Sequence, residues 1–362
     1  MKLIKQYSFL LAFVLPALTV LGFYLGGLWN LLTPCFVFVL IPVLDLLVGK
    51  DSENPADFRF QEIQSSVFYK YLTYLWVLVQ SVFLIWSIVS FVPAELTVFE
   101  SALFILSVSL VTGGIGITVA HELGHKNSKL EQFLSKLLLL QTCYLHFYIE
   151  HNRGHHVKVS TPDDPASSRK NESFYAFYPR TVIGSYLSAW SLEKEKLTRK
   201  GLSFFHYKNE MIQFSLVTIM LIGFILFGYT FWERGSFPIG ISDYSWKPVF
   251  FFIVQSVLAF SLLEVVNYIE HYGLERKRKD NGNYEKILPV HSWNQNYMVS
   301  NALLFQLQRH SDHHANAGRR YQTLRHFPEA PQLPYGYEIM ILIALVPPLW
   351  YRMVNPILET WE

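Results

Sequence analysis

The chain has 362 residues, of which 51% are hydrophobic, 16% aromatic and only 16% charged, whereas a soluble domain carries roughly a quarter charged residues. That balance excludes an ordinary soluble protein and points to a membrane protein with a polar portion. Formal net charge is +2, so partners must be read from where the charges sit, and no nucleic acid is expected. The two cysteines, Cys35 and Cys143, lie in apolar or aromatic sequence and leave neither a disulfide framework nor a CxxC metal knuckle.

Lys2 and Lys5 precede an apolar run over 9–28, long enough to cross a bilayer at roughly 20 residues per span. It lacks a small-residue cleavage site and reads as an uncleaved anchor. A second run, 31–48, follows after almost no loop, which predicts a tight hairpin. A polar segment leads into spans over 67–92 and 98–120, separated by the short turn Pro93-Ala94-Glu95. The stretch 121–210 is mostly polar, and its apolar run 134–145 is too short to cross, predicting a helix at the interface or against the bundle. Spans five and six follow at 211–231 and 248–268. A weak apolar run over 339–350, broken by Pro347-Pro348, predicts a membrane-surface or re-entrant element.

The expected fold is therefore an all-α integral membrane protein, one catalytic domain over 1–362. Six transmembrane helices would carry a histidine-rich cytoplasmic cap made of 121–210 and 271–362 and holding a dinuclear metal site. Six crossings put both termini on the cap side. Of 30 lysines and arginines only Arg234 and Lys247 fall on the other, which the positive-inside rule makes external.

The cap carries three histidine clusters. LQRHSDHHA at 307–315 places His310, His313 and His314 at i, i+3 and i+4, one face of a helix. HELGHK at 121–126 has His121 and His125 at i and i+4, where span four runs out of apolar residues. EHNRGHH at 150–156 has His151, His155 and His156 sharing most of a face. A lone histidine is more often a satisfied core residue than a ligand, but three clusters in one cap point to metal. His271, in NYIEHYGL at the end of span six, lies at the membrane depth of His121 and is a ninth candidate. Eight or nine imidazoles exceed what one ion can use, so two ions are expected, and imidazole suits iron, zinc, copper and nickel alike.

HELGH is also an HExxH pattern, in which Glu122 would serve a zinc protease as general base. That reading explains only two of the histidines. Glu122, Glu150, Glu270 and Asp312 adjoin the clusters, where a carboxylate can accept the outer N–H of a metal-bound imidazole. Glu264 lies two turns before His271 inside an apolar span, a costly place for a carboxylate; Glu264 and Asp312 are the candidate catalytic carboxylates. Asp163 and Asp164 could cap a helix or support a metal-bound histidine from behind, and capping is the favoured reading; His291 has no role assigned by pattern. The basic run at 276–279, with Arg319, Arg320 and Arg325, is either the inside-positive surface or a docking face for an acidic partner.

HELGHK, EHNRGHH, NYIEHYGL and LQRHSDHHA, with TPDDPASSR at 161–169, HSWN at 291–294 and the order of spans, resemble the membrane-bound alkane 1-monooxygenases over nearly the whole chain. These belong to the wider superfamily of histidine-box membrane desaturases and hydroxylases. The resemblance implies two irons held by nine histidines, which carry over to His121, His125, His151, His155, His156, His271, His310, His313 and His314. It implies O2-dependent terminal hydroxylation of medium- to long-chain linear alkanes to 1-alkanols in the bacterial inner membrane, with no bound organic cofactor. Electrons would come from rubredoxin, reduced by an NAD(P)H-dependent rubredoxin reductase; with two cysteines here, the rubredoxin is expected to be a separate protein. Related enzymes acting on aromatic methyl groups or fatty acyl chains are the alternative. A metal transporter would need polar groups along the spans, and the first five have almost no ionisable interior residue besides Asp45.

Overall fold

A computed structural model describes residues 2–235, 240 and 243–361. Among them, six helices are long and apolar enough to cross a membrane: α1 (Lys5–Leu25), α2 (Gly27–Val48), α3 (Asp57–Phe91), α4 (Val98–Gly124), α5 (Glu210–Arg234) and α6 (Lys247–His271). The protein is an all-helical integral membrane protein with the six spans expected. Two of them run further than their apolar sequence: α4 continues through His121 and α6 ends on His271. Each therefore delivers histidine from a rigid helix end rather than from a loop.

The α1–α2 hairpin turns on Gly26 and Gly27, whose φ values of 70° and 55° suit residues without a Cβ. Its tip is tied to α4. Thr97 caps α4 in a reciprocal box with Glu100, and the free Glu100 oxygen accepts the Gly27 N–H at 2.7 Å. Gln80 of α3, Thr112 of α4 and Gln255 of α6 meet through Gln141: Gln80 Nε2 donates to Gln141 Oε1 at 3.1 Å, Gln255 Nε2 to Gln141 O at 2.9 Å, and Thr112 Oγ1 to Gln255 Oε1 at 2.9 Å. Buried polar groups in a span are tolerated when partnered in this way.

From Leu110 to Ile117, α4 widens into a π-helical stretch rich in glycine, a feature that often marks functional sites. Here α4 and α6 approach through small residues: a Cβ on Gly113 would lie 2.6 Å from Ala259 O and 2.7 Å from Ala259 Cα. Gly113→Val should force the helices apart and destabilise the fold by about 3 kcal/mol, at the upper end of overpacking effects. A lowered thermal midpoint in detergent would show it; an unchanged midpoint would mean that the two helices can slide.

The apolar run at 134–145 forms a helix over Lys129–Leu140 followed by a turn, packed against the end of α4, where Ser135 Oγ donates to Ala120 O at 2.6 Å. The C-terminal run splits at the prolines into helices Tyr337–Ala344 and Pro347–Leu358. Their buried Tyr337, Met340, Trp350 and Val354 pack with Tyr268 of α6 and with Tyr272 just beyond its end in a second apolar core. One long helix, Phe174–Arg199, has no counterpart in the sequence reading, because its mixed polar surface carries no span signal.

Candidate metal centre

Four segments converge at one end of the bundle. The end of α4 carries His121 and His125, the 146–158 segment carries His151, His155 and His156, α6 ends on His271, and the short helix His310–Ala315 supplies the remaining three. All nine histidines come together, but they sort across the sequence clusters into two groups. One nitrogen from each of His121, His125, His151, His156 and His313 lies within 4.8 Å of every other in that set; His155, His271, His310 and His314 form a second set on the same criterion. The neighbours His155 and His156 diverge to opposite sets, as do His313 and His314.

Within the first set, Nε2 of His151 is 3.1 Å from Nε2 of His125 and 3.0 Å from Nε2 of His156, which is 3.1 Å from Nε2 of His313. In the second, Nε2 of His310 is 3.2 Å from that of His271 and 2.9 Å from that of His314. A neutral imidazole nitrogen carries at most one proton, so several facing one another cannot all be hydrogen-bonded. The buried Nε2 atoms of His121 and His155 have no partner at all. Nitrogens bound to one ion at about 2.1 Å stand roughly 3 Å apart, so both sets fit a cation better than they fit one another.

Burial, helped by the neighbouring imidazoles, holds His151, His156, His310, His313 and His314 well below the ordinary histidine value, which keeps them neutral and able to bind metal. Burial also disfavours charge on His155, but the Asp164 carboxylate outweighs it and holds His155 above its ordinary value. The five lowered groups dominate. Because their folded-state values lie below 6.5, the unfolded chain takes up more protons just below that pH, and stability rises with pH there. The metal-free protein should therefore be most stable above about pH 6.5 and lose stability as pH falls through the histidine range. Thermal melts of apoprotein over neutral and mildly acidic pH check this, and a flat profile would contradict it.

The carboxylates are not used as their sequence positions suggest. Asp164, expected as a helix cap, lies 2.8 Å from His155 Nδ1 and accepts Ser167 Oγ at 2.6 Å, so it fixes the tautomer that leaves His155 Nε2 free. Asp163 is exposed. Glu264 accepts Tyr144 OH and Thr181 Oγ1 at 2.7 Å each and Asn267 Nδ2 at 3.2 Å, joining α6 to the 141–145 turn and to the Phe174–Arg199 helix. Asp312 accepts the Arg319 guanidinium, Asn316 Nδ2 at 2.9 Å and the Arg325 N–H at 2.8 Å. Glu122 pairs with Lys126 at 3.0 Å and accepts the Tyr321 N–H at 3.3 Å, which leaves it engaged rather than poised as a base. His291 sits on Glu285 at 3.2 Å. Arg276 is held by carbonyls of Glu285 and Val157, whereas Lys277, Arg278 and Lys279 are exposed.

Besides Asp164, Glu270 reaches the clusters, with one oxygen 3.2 Å from His310 Nε2 and the other accepting Tyr337 OH at 2.9 Å. Glu270 and Tyr337 border a chamber that is also bordered by His121 and His151 of the first set and His310 of the second. Its walls are mostly apolar: Leu15 of α1, Val37 and Phe38 of α2, Leu110, Gly113, Gly114, Ile115 and Ile117 of α4, and Leu262, Leu263 and Val266 of α6. Glu264 and Asp312 do not line it. Sequence reasoning missed Tyr337 and Glu338, which also lines the chamber; the signal was an acidic residue opening an apolar run.

Six apolar spans ending in two buried polyhistidine sets, both bordering one apolar chamber, define an integral membrane protein with a site consistent with two metal ions. The signature of the fatty acid desaturase family matches residues 96–342. The chain is 46% identical to alkane 1-monooxygenase 2 of Pseudomonas aeruginosa over 333 residues, covering 91% of this chain and 84% of that one. It is 36% identical to alkane 1-monooxygenase of Pseudomonas putida over 363 residues, 99% of this chain and 86% of that one. The hydroxylase component of the Pseudomonas putida xylene/toluene monooxygenase is 28% identical over 354 residues, 96% and 88% of the two chains. The chain belongs to the alkane 1-monooxygenase family, within the fatty acid desaturase superfamily.

Proposed function

We propose that this enzyme hydroxylates the terminal methyl group of linear alkanes, using O2 and electrons from a separate rubredoxin, and that the whole chain acts as one catalytic domain. The observation that carries the reading is the chamber, its walls mostly apolar, with Glu270, Tyr337 and Glu338 among the polar groups that border it beside His121, His151 and His310. An alkane offers no polar handle, so the walls hold it by burial alone, at roughly 0.8 kcal/mol per buried CH2. A chamber entered end-on selects the terminal carbon by shape, and its apolar walls exclude water from the reacting end.

The nine histidines would hold two irons, which supply the O2-activating chemistry when bound. Asp164 orients His155, and the Glu270–Tyr337 pair braces the side of His310 that faces the chamber. The positive-inside distribution of charge supports a cytoplasmic histidine end in the bacterial inner membrane. Exposed Lys277, Arg278 and Lys279 offer an acidic electron carrier a basic surface there.

The test is purified protein in detergent, assayed with rubredoxin, its reductase and NAD(P)H against linear alkanes, toluene and fatty acyl substrates. About two irons per chain and 1-alkanol as the main product are expected. One zinc without iron would sink the diiron reading. Desaturated acyl product without alkanol would replace the reaction while keeping the site.

A further inference from the structure

Where α1 begins and α2 ends lies a cavity of about 540 Å3 that none of the nine histidines borders. One side of it is Lys5 and Ser8 of α1 together with the four residues Lys50 to Glu53 just beyond α2. The other side belongs to the segment that leads into the His310–Ala315 helix, including the buried Asn301, Gln306 and Arg309. Phe9, Met298 and Ala302 add an apolar face.

The charges around this space do not balance. Among the described residues lining it, the three cations Lys5, Lys50 and Arg309 meet only two carboxylates, Asp51 and Glu53, which leaves one positive charge in excess. Asp51 is already shared, because its carboxylate pairs with Lys5 while Arg309 Nη2 lies 3.7 Å from Oδ2 and donates to Asp51 O at 2.7 Å. Arg309 is fixed further by donating to Leu324 O at 2.7 Å. Lys50 is exposed; its Nζ stands 5.0 Å from the centre of the Tyr297 ring and has no carboxylate within salt-bridge reach among the described residues. Acceptors are in excess as well. Asn301 donates its amide to the carbonyls of Gln295 and Tyr297 at 3.0 and 2.9 Å, and its Oδ1, like Oε1 of Gln306, has no donor. A ligand that fits is a single negative charge carrying hydroxyl donors.

The depth of the cavity says where such a ligand comes from. Lys5 opens α1 and Lys50 follows α2, which ends at Val48, so both ammonium groups stand where apolar span gives way to polar sequence. That is the level of lipid headgroups, where basic residues attract anionic lipid. Next to them on the two spans Leu10, Leu47 and Val48 are exposed, as side chains facing acyl chains are. We propose that the cavity binds the headgroup of one anionic phospholipid, its phosphodiester beside Lys5 and Lys50 and its hydroxylated head toward Asn301 and Gln306. Phosphatidylglycerol has this chemistry: one negative charge to offset the excess cation, and hydroxyls to donate. Phosphatidylcholine is neutral overall, and its methylated ammonium has no N–H.

The experiment titrates the delipidated full chain in detergent with phosphatidylglycerol, phosphatidylcholine or soluble glycerol phosphate and counts bound molecules by native mass spectrometry. Wild type should hold one phosphatidylglycerol more tightly than any phosphatidylcholine. One basic residue at an anionic lipid surface is worth about fivefold in affinity, so Lys50→Glu, which also adds a repelling charge, should weaken that binding at least tenfold. Lys50→Arg should retain it. Lys200→Glu makes the same charge change at an exposed position outside the cavity and should leave the binding as in wild type. Equal affinity for the two lipids, undiminished phosphatidylglycerol binding in Lys50→Glu, or the same loss in Lys200→Glu would overturn the site. Glycerol phosphate bound as tightly as the lipid, with the same dependence on Lys50, would replace the lipid by a free phosphate ester.

Discussion

His310→Ala is expected to leave the protein with about one metal ion instead of two and no hydroxylase activity, while His125→Ala removes the other ion to the same effect. The five-histidine and four-histidine sets share no side chain, so a lost ligand should weaken one ion far more than the other. The loss should be large in the four-membered set, because His310 is central there, its Nε2 within 3.2 Å of both His271 and His314. Asp164→Asn is the graded control. It keeps every ligand and removes only the carboxylate behind His155, for which about a 10–100-fold loss in metal affinity is expected. Metal analysis and activity of each variant, with membrane insertion checked alongside, decide the matter. An active His313→Ala would count heavily against the assignment, since His313 belongs to the five-membered set and lies 3.1 Å from His156.

Gly114→Leu should shift the enzyme toward shorter alkanes. Gly114 lines the chamber from the widened turn of α4, and a Cβ there would meet only Leu262 Cδ2, at 3.6 Å, an ordinary contact. The backbone therefore accepts a side chain, in contrast to Gly113 one residue earlier, and the added isobutyl group occupies chamber space. Every methylene of the substrate displaced from the walls loses roughly 0.8 kcal/mol of burial, so excluding two or three should lower kcat/KM for the longest accepted alkanes at least tenfold. Short alkanes should be affected little. Product analysis across a chain-length series measures the shift. A uniform loss at all lengths, with normal iron content, would mean that this wall is not where the substrate lies.

Glu264 and Glu338 show where sequence reasoning divides. Both are acidic residues in apolar surroundings, and the rule that such residues are functional applies equally to each. Glu264 has three side-chain donors and joins elements together; Glu338 has none and borders the chamber. Whether a carboxylate is satisfied depends on Tyr144 and Thr181, more than 80 residues away along the chain, and no local pattern reports such partners. Asp164 was misread for a related reason, since a TPDDP segment looks like a cap until its fold brings it against His155.

The spans, their number and the histidines were legible because each is a local property: hydropathy over some 20 residues, or imidazoles repeated at the spacing of one helix turn. The sequence by itself determined that a bundle of six apolar helices would present histidines at one end. Only the tertiary structure decided how those histidines divide, because adjacent side chains on a helix diverge by about 100° and a cluster in sequence need not be a cluster in space. The same holds for the chamber, a space between elements distant in the chain, fixed by how α2, α4, α6 and the Tyr337–Ala344 helix pack together.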